Sequence, residues 1–135
     1  PGLDLLVATL ARAAGTPEVA TRHLVQGLVW VALVWPVVGL GRRAAGRRGA
    51  WLSGLALLGL PTLLGHSCNN PKDLPLATAC AWLLFTASWL GAARRLGWRH
   101  ALGLGLALGY VLATRPAAWF LVAAPGLALA GRAWA

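Results

Sequence analysis

The sequence predicts an all-α fold: a polytopic membrane helical bundle of about four to five spans, with a short amphipathic helix at its N-terminus. Three observations predict it. Of the 135 residues, 59% are hydrophobic and only 11% are charged, whereas a water-soluble domain carries about 25% charged residues. Apolar runs approach the length that crosses a bilayer. The arginines are concentrated in short clusters between those runs, where the positive-inside rule expects them. A single partial transmembrane domain covers 1–135, read as an interior piece of a larger membrane protein because the chain starts at Pro1 and contains no Met.

Residues 3–14, LDLLVATLARAA, place Leu5, Leu6, Thr9 and Leu10 at helical spacing, with Asp4 near the start and Arg12 near the end as the helix dipole prefers. This segment is too short to span and suits an interfacial or packed helix. Gly15 breaks it. Thr16-Pro17-Glu18 then reads as a helix start, with Thr16 as N-cap, Pro17 in the first turn and Glu18 at the positive end of the dipole. Glu18 and Arg22 are spaced to pair. The apolar stretch 24–40 is the first span, with Pro36 predicting a kink.

Residues 41–49, GRRAAGRRG, form the strongest topological marker and are expected on the cytoplasmic side. A second span over 50–65 leads to the polar stretch 66–75, HSCNNPKDLP, on the extracytoplasmic side. A third span over 76–93 ends at Arg94, Arg95 and Arg99, so 94–100 is again cytoplasmic. Residues 101–114 and 117–131 are both short. Pro116 favours two short helices meeting at Arg115, with Gly103, Gly105 and Gly109 expected to allow close backbone approach. Arg115 then lies on the same side as Asp73.

The net charge of +9 serves topology, with no basic face interleaved with aromatics, so no nucleic-acid partner is expected. The eight Trp residues read as interfacial anchors. Cys68 and Cys80 make no CxxC and no metal set, and read as unpaired thiols. No Ser-His-Asp set, HExxH, P-loop or dinucleotide fingerprint is present.

Chemistry is therefore sought in 66–75. Asp73, one of three acidic residues in the chain, has two readings: a helix-start residue complementing the dipole, or a carboxylate that binds a cation or takes a proton from an acceptor hydroxyl. Lys72 is interfacial charge or a contact for a lipid-linked phosphate. Arg115 is a snorkelling cation or a phosphate ligand. His66 and Asn70 are local loop formers or substrate contacts.

The succession TRHLVQGLVWVALVWPVVGLGRR, GAWLSGLALLGLPTLLGHSCNNPKDLPLA and HALGLGLALGYVLATRPAA resembles bacterial GT-C glycosyltransferases, of the protein O-mannosyltransferase and aminoarabinose-transferase type (family 39-like). The NPKD-x-P segment ahead of a span is its most specific element, and the likeness covers roughly 18–131. The resemblance implies an integral, multi-pass protein of the bacterial cell membrane. Its reaction would be transfer of a sugar from a polyprenyl-phosphate-linked donor to an acceptor on the extracytoplasmic face. Asp73 matches the acidic residue of the second external loop and would be catalytic, with Lys72, Arg115, Asn70 and His66 binding substrate. The family's first acidic motif would lie upstream of Pro1, so the chain alone is expected to be inactive. Some members use a divalent cation and others do not, which leaves the cofactor open. The competing expectation is a small non-enzymatic membrane scaffold or transporter fragment, in which the polar stretch is only structural.

Overall fold

A computed structural model describes residues 2–61, 65, 72–93, 95–115, 118, 120–121 and 123–133. Its elements are all helical: α1 (Gly2–Ala14), α2 (Glu18–Leu58), α3 (Asp73–Ala92), α4 (Trp98–Thr114) and α5 (Ala123–Ala133). No strand occurs among the described residues. Two helices, Glu18–Leu58 and Asp73–Ala92, are long and apolar enough to cross a membrane.

The short first helix forms where the sequence expects it. It packs on α2 and, less extensively, on the helix Trp98–Thr114, and its Val7 and Ala11 are buried. Gly15 ends it with a positive φ of 62°, a conformation that a side chain disfavours. The start of α2 differs from the expectation. Pro17, not Thr16, is the residue preceding the helix, and no side chain caps it. Thr16 Oγ1 instead shares a hydrogen bond with Thr21 Oγ1 at 2.7 Å. Thr21 is buried, so the hydroxyl of Thr16 satisfies another side chain rather than the backbone.

The continuous helix α2 is a hairpin. Its backbone leaves helical geometry only at Ala45 (φ −141°, ψ 28°) and Gly46 (φ 61°, ψ −147°). Pro36 stays inside the helix and is buried, and the chain leaves helical geometry further on, at Ala45 and Gly46. Two arms result, 18–44 and 47–58. They lie against one another: Leu33 and Leu57 share one core cluster, although 24 residues of straight helix would part them by about 36 Å. The arms cross where glycine permits. A Cβ on Gly41 would stand 2.5 Å from the carbonyl oxygen of Gly49, and one on Gly49 would meet the carbonyl of Gly41. The expected nine-residue basic loop is thus two helix ends joined across two non-helical residues.

The hub of the fold is α3, which packs on α2, α4 and α5. It is apolar around its whole circumference, as a helix with neighbours on several sides must be. One side joins Leu74 and Ala81 to Leu33 and Leu57. Another joins Ala79 and Leu83 to Ala107, Val111 and Ala118. Polar contacts fix the register with α2. Thr78 Oγ1 donates to the carbonyl of Val29 (3.3 Å), Trp82 Nε1 to that of Ala32 (3.0 Å), and Arg43 Nη1 to that of Ser88 (3.0 Å). Both sets of numbers rise together, so α3 runs parallel to the first arm of α2.

Helix α4 runs back antiparallel to α3. His100 stacks on Trp89 with ring centroids 4.3 Å apart, and Gly103 faces Trp89 and Thr86 at 3.6 and 3.9 Å. At its start the Gly97 N–H donates to His100 Nδ1 (3.2 Å). The expected close approach at Gly105 and Gly109 does not occur, since a Cβ at either would meet nothing within 4 Å. Trp30 and Trp82 also depart from the interfacial expectation. Trp82 staples α3 to α2 at mid-helix, and Trp30 packs against the α2–α3 core.

Candidate functional site

Helix directions sort the charged residues into two ends. Because α3 is parallel to the first arm of α2, the hairpin tip with Arg42, Arg43, Arg47 and Arg48 lies at the same end as the α3–α4 turn with Arg95 and Arg99. The opposite end receives the starts of α2 and α3 and the finish of α4. It therefore holds Asp4, Glu18 and Asp73, which are all the acidic residues of the chain, together with Arg22, Lys72 and Arg115. One end is mixed in charge; the other is purely basic.

At the mixed end Arg22 ties α1 to α2. Its Nη1 donates to Asp4 Oδ1 at 2.8 Å and its Nη2 to Glu18 Oε1 at 3.1 Å. The Glu18 pair was expected from spacing, whereas the Asp4 contact needed the fold. The hydrogen bond to Asp4, followed by that to Glu18, pushes the Arg22 pKa up from its ordinary value. Arg22 lies ahead of the apolar stretch 24–40.

Asp73 is the first residue of α3, and Lys72 (φ −111°, ψ −50°) precedes it as the boundary residue without a side-chain cap bond. Asp73 thus stands in the first turn, where its charge complements the dipole, and is not the N-cap that the sequence suggested. Both residues are exposed. Arg115 ends α4 in extended geometry (φ −149°, ψ 101°), donates its N–H to the Val111 carbonyl and accepts from Ala118 N at 2.9 Å. It too is exposed. The fold brings Asp73, Lys72 and Arg115 to one end. His66 and Asn70 lie outside the described residues, as does Cys68. Among the described residues no three His, Cys, Asp or Glu side chains converge as a metal site, so no step is derived through a divalent cation.

Two hollows among the described residues lie elsewhere. A groove of about 480 Å³ crosses α3 between α2 and α4, lined by Val29, Thr78, Trp82, Thr86, Leu106 and Tyr110 among others. A second, of about 1000 Å³, follows the first arm of α2 from Trp30 to Arg42 and Arg43, with Phe85 of α3 on its flank.

Sequence reasoning passed over one polar feature. Gln26 is 1% exposed, and its Oε1 and Nε2 have no hydrogen-bond partner; one turn on, the buried Nε1 of Trp30 has none either. The available signal was that Gln26 is the only polar side chain in the apolar stretch 24–40.

No protein-family model, no curated protein and no solved structure matches the chain.

Proposed function

We propose that the chain is a multi-pass membrane unit of about four to five spans, set with its basic end in the cytoplasm and its mixed end outside, and that it belongs to a glycosyltransferase using a polyprenyl-phosphate-linked sugar. The observation that carries the membrane part is the segregation of charge: every carboxylate lies at one end and the two arginine-rich turns at the other. Large apolar side chains such as Leu24, Leu28, Val31, Trp35 and Leu106 are exposed along the helices between those ends. In water such a belt is unfavourable; in lipid it is the expected surface.

The transferase part rests on the sequence resemblance and on Asp73, Lys72 and Arg115 sharing the outer end. In this reading Asp73 takes the proton of the acceptor hydroxyl. The hydroxyl oxygen forms a bond to the anomeric carbon as the bond to the lipid phosphate breaks. Lys72 and Arg115 stabilise the phosphate charge as it departs. The test is Asp73→Asn in the complete protein. Transfer from a polyprenyl-phosphate-linked sugar falls at least about 100-fold while membrane insertion is unchanged. Unchanged transfer removes Asp73 from the mechanism.

A second reading, a non-enzymatic membrane scaffold, is favoured by one observation: both grooves lie away from Asp73. Normal membrane phenotypes in an Asp73→Asn strain, with no transfer activity in the parent protein, decide for the scaffold.

A further inference from the structure

The groove along the first arm of α2 is apolar over most of its length and cationic at one mouth. Trp30, Val34 and Val38 line it, Arg42 and Arg43 end it, and Phe85 of α3 flanks it. Val31 and Trp35, also in its lining, are 62% and 70% exposed. From Trp30 to Arg43 the helix rises about 20 Å. One leaflet of a hydrocarbon core is roughly 15 Å deep, so the groove matches one acyl layer plus the headgroup level above it.

The cationic mouth is held in place. Arg43 donates from Nη1 to the Ser88 carbonyl at 3.0 Å and lies 5.3 Å from the centroid of the Phe85 ring. Phe85 in turn sits against Gly39, where a Cβ would stand 2.5 Å from the ring. A guanidinium has five N–H donors, so the bond to Ser88 leaves others for an oxyanion, and Arg42 beside it is exposed. No Asp or Glu side chain lies at this end, since Asp4, Glu18 and Asp73 all belong to the other.

We propose that this groove binds an anionic phospholipid of the cytoplasmic leaflet, with an acyl chain along Val31, Val34 and Val38 and the phosphate on Arg42 and Arg43. Charge complementarity selects this occupant. A parallel second copy would bring its own arginine-rich tip against the first, which like-charge repulsion disfavours, whereas the inner leaflet supplies anionic headgroups. The bound lipid is distinct from any sugar donor, whose phosphate belongs at the outer end. The inference rests on the membrane reading but not on the transferase reading.

The experiment is native mass spectrometry of the full chain released from detergent, titrated with phosphatidylglycerol or with phosphatidylcholine of the same acyl chains. One phosphatidylglycerol is retained at least about ten-fold more tightly than phosphatidylcholine, a difference worth two cationic contacts or fewer. Arg42→Gln weakens it about five-fold, and Arg42→Gln with Arg43→Gln roughly 30-fold. Arg47→Gln with Arg48→Gln, at the same tip but outside the groove lining, removes the same charge and weakens retention clearly less than the Arg42 and Arg43 pair does. Val31→Trp narrows the groove without changing charge and also weakens retention. Arg42 is exposed, so its single variant keeps the test interpretable if the Arg43 variant loses helicity. Equal loss from the Arg47 and Arg48 pair, or equal retention of the two lipids, overturns the proposal. Partitioning of the chain into phosphatidylcholine vesicles is measured alongside. Insertion without selective retention removes the lipid site alone; failure to insert removes the membrane reading and the lipid site with it.

Discussion

Gln26 sets the residue-scale problem. A buried amide with neither oxygen nor nitrogen partnered carries a desolvation cost that a leucine of similar volume does not. Gln26→Leu is therefore expected to raise stability by about 1–3 kcal/mol, measured as a higher midpoint of thermal unfolding in detergent. A lower midpoint would mean that the amide finds a partner in the bilayer. Arg22 is the contrasting case. It makes two ion pairs, but its side chain is 32% exposed and each partner's is 57% exposed. Arg22→Ala should lower the unfolding midpoint only slightly, because exposed ion pairs contribute little, and added salt should shrink the difference between parent and variant. The Glu18–Arg22 pair could be read from spacing, because four residues is one helical turn. Asp4 could not, because its approach depends on how α1 docks.

Among the elements, the α2 hairpin turns on glycines. Gly46 combines a positive φ with an extended ψ, a region that side chains essentially do not occupy. Gly46→Ala should destabilise by about 1–3 kcal/mol, detected by chemical or thermal unfolding; Gly105→Ala, where a Cβ meets nothing, should be neutral or better. The sequence made α1, α3 and α4 legible because apolar runs there are bounded by Gly15, the polar stretch 66–75, the cluster Arg94, Arg95 and Arg99, and Arg115-Pro116, local signals that need no knowledge of neighbours. It misdirected the reading of Gly103, Gly105 and Gly109, since regular spacing of small residues does not say which face meets another helix. It also hid the contact of Gly41 with Gly49, which exists only once the arms have folded together. Pro36 lies inside the helix, and the chain turns at Gly46, where glycine allows a conformation that proline does not offer.

For the molecule as a whole, the useful prediction concerns sidedness. Single cysteines introduced as Arg48→Cys and Arg115→Cys, each in a Cys68→Ser, Cys80→Ala background, should be labelled from opposite sides of a sealed vesicle by a membrane-impermeant maleimide. Labelling from the same side would refute the two-ended arrangement in the membrane. That Asp73 and Arg115 share an end was legible from counting crossings between arginine clusters. Whether they share a pocket was not, because it depends on tilt and side-chain packing that hydropathy does not encode. The grooves illustrate the same gap. Val31 and Arg43 lie thirteen and one residues from Ala44, and nothing in their order announces that Phe85, from another helix, completes the wall between them.

The central place of α3 has a consequence for time as well as shape. Thr78 meets Val29 across 49 residues of chain, and at about 5–20 residues per second of synthesis the second arrives roughly 2–10 seconds after the first. In the later part of that interval, once Leu57 has been made, α2 can fold onto itself through Leu33 and Leu57 but has no α3 to cover its remaining inner face. The nascent hairpin must therefore persist as an intermediate during translation. Slowing the ribosome between Leu58 and Asp73 would lengthen its exposure to proteolysis and to wrong helical neighbours, while leaving the finished protein unchanged.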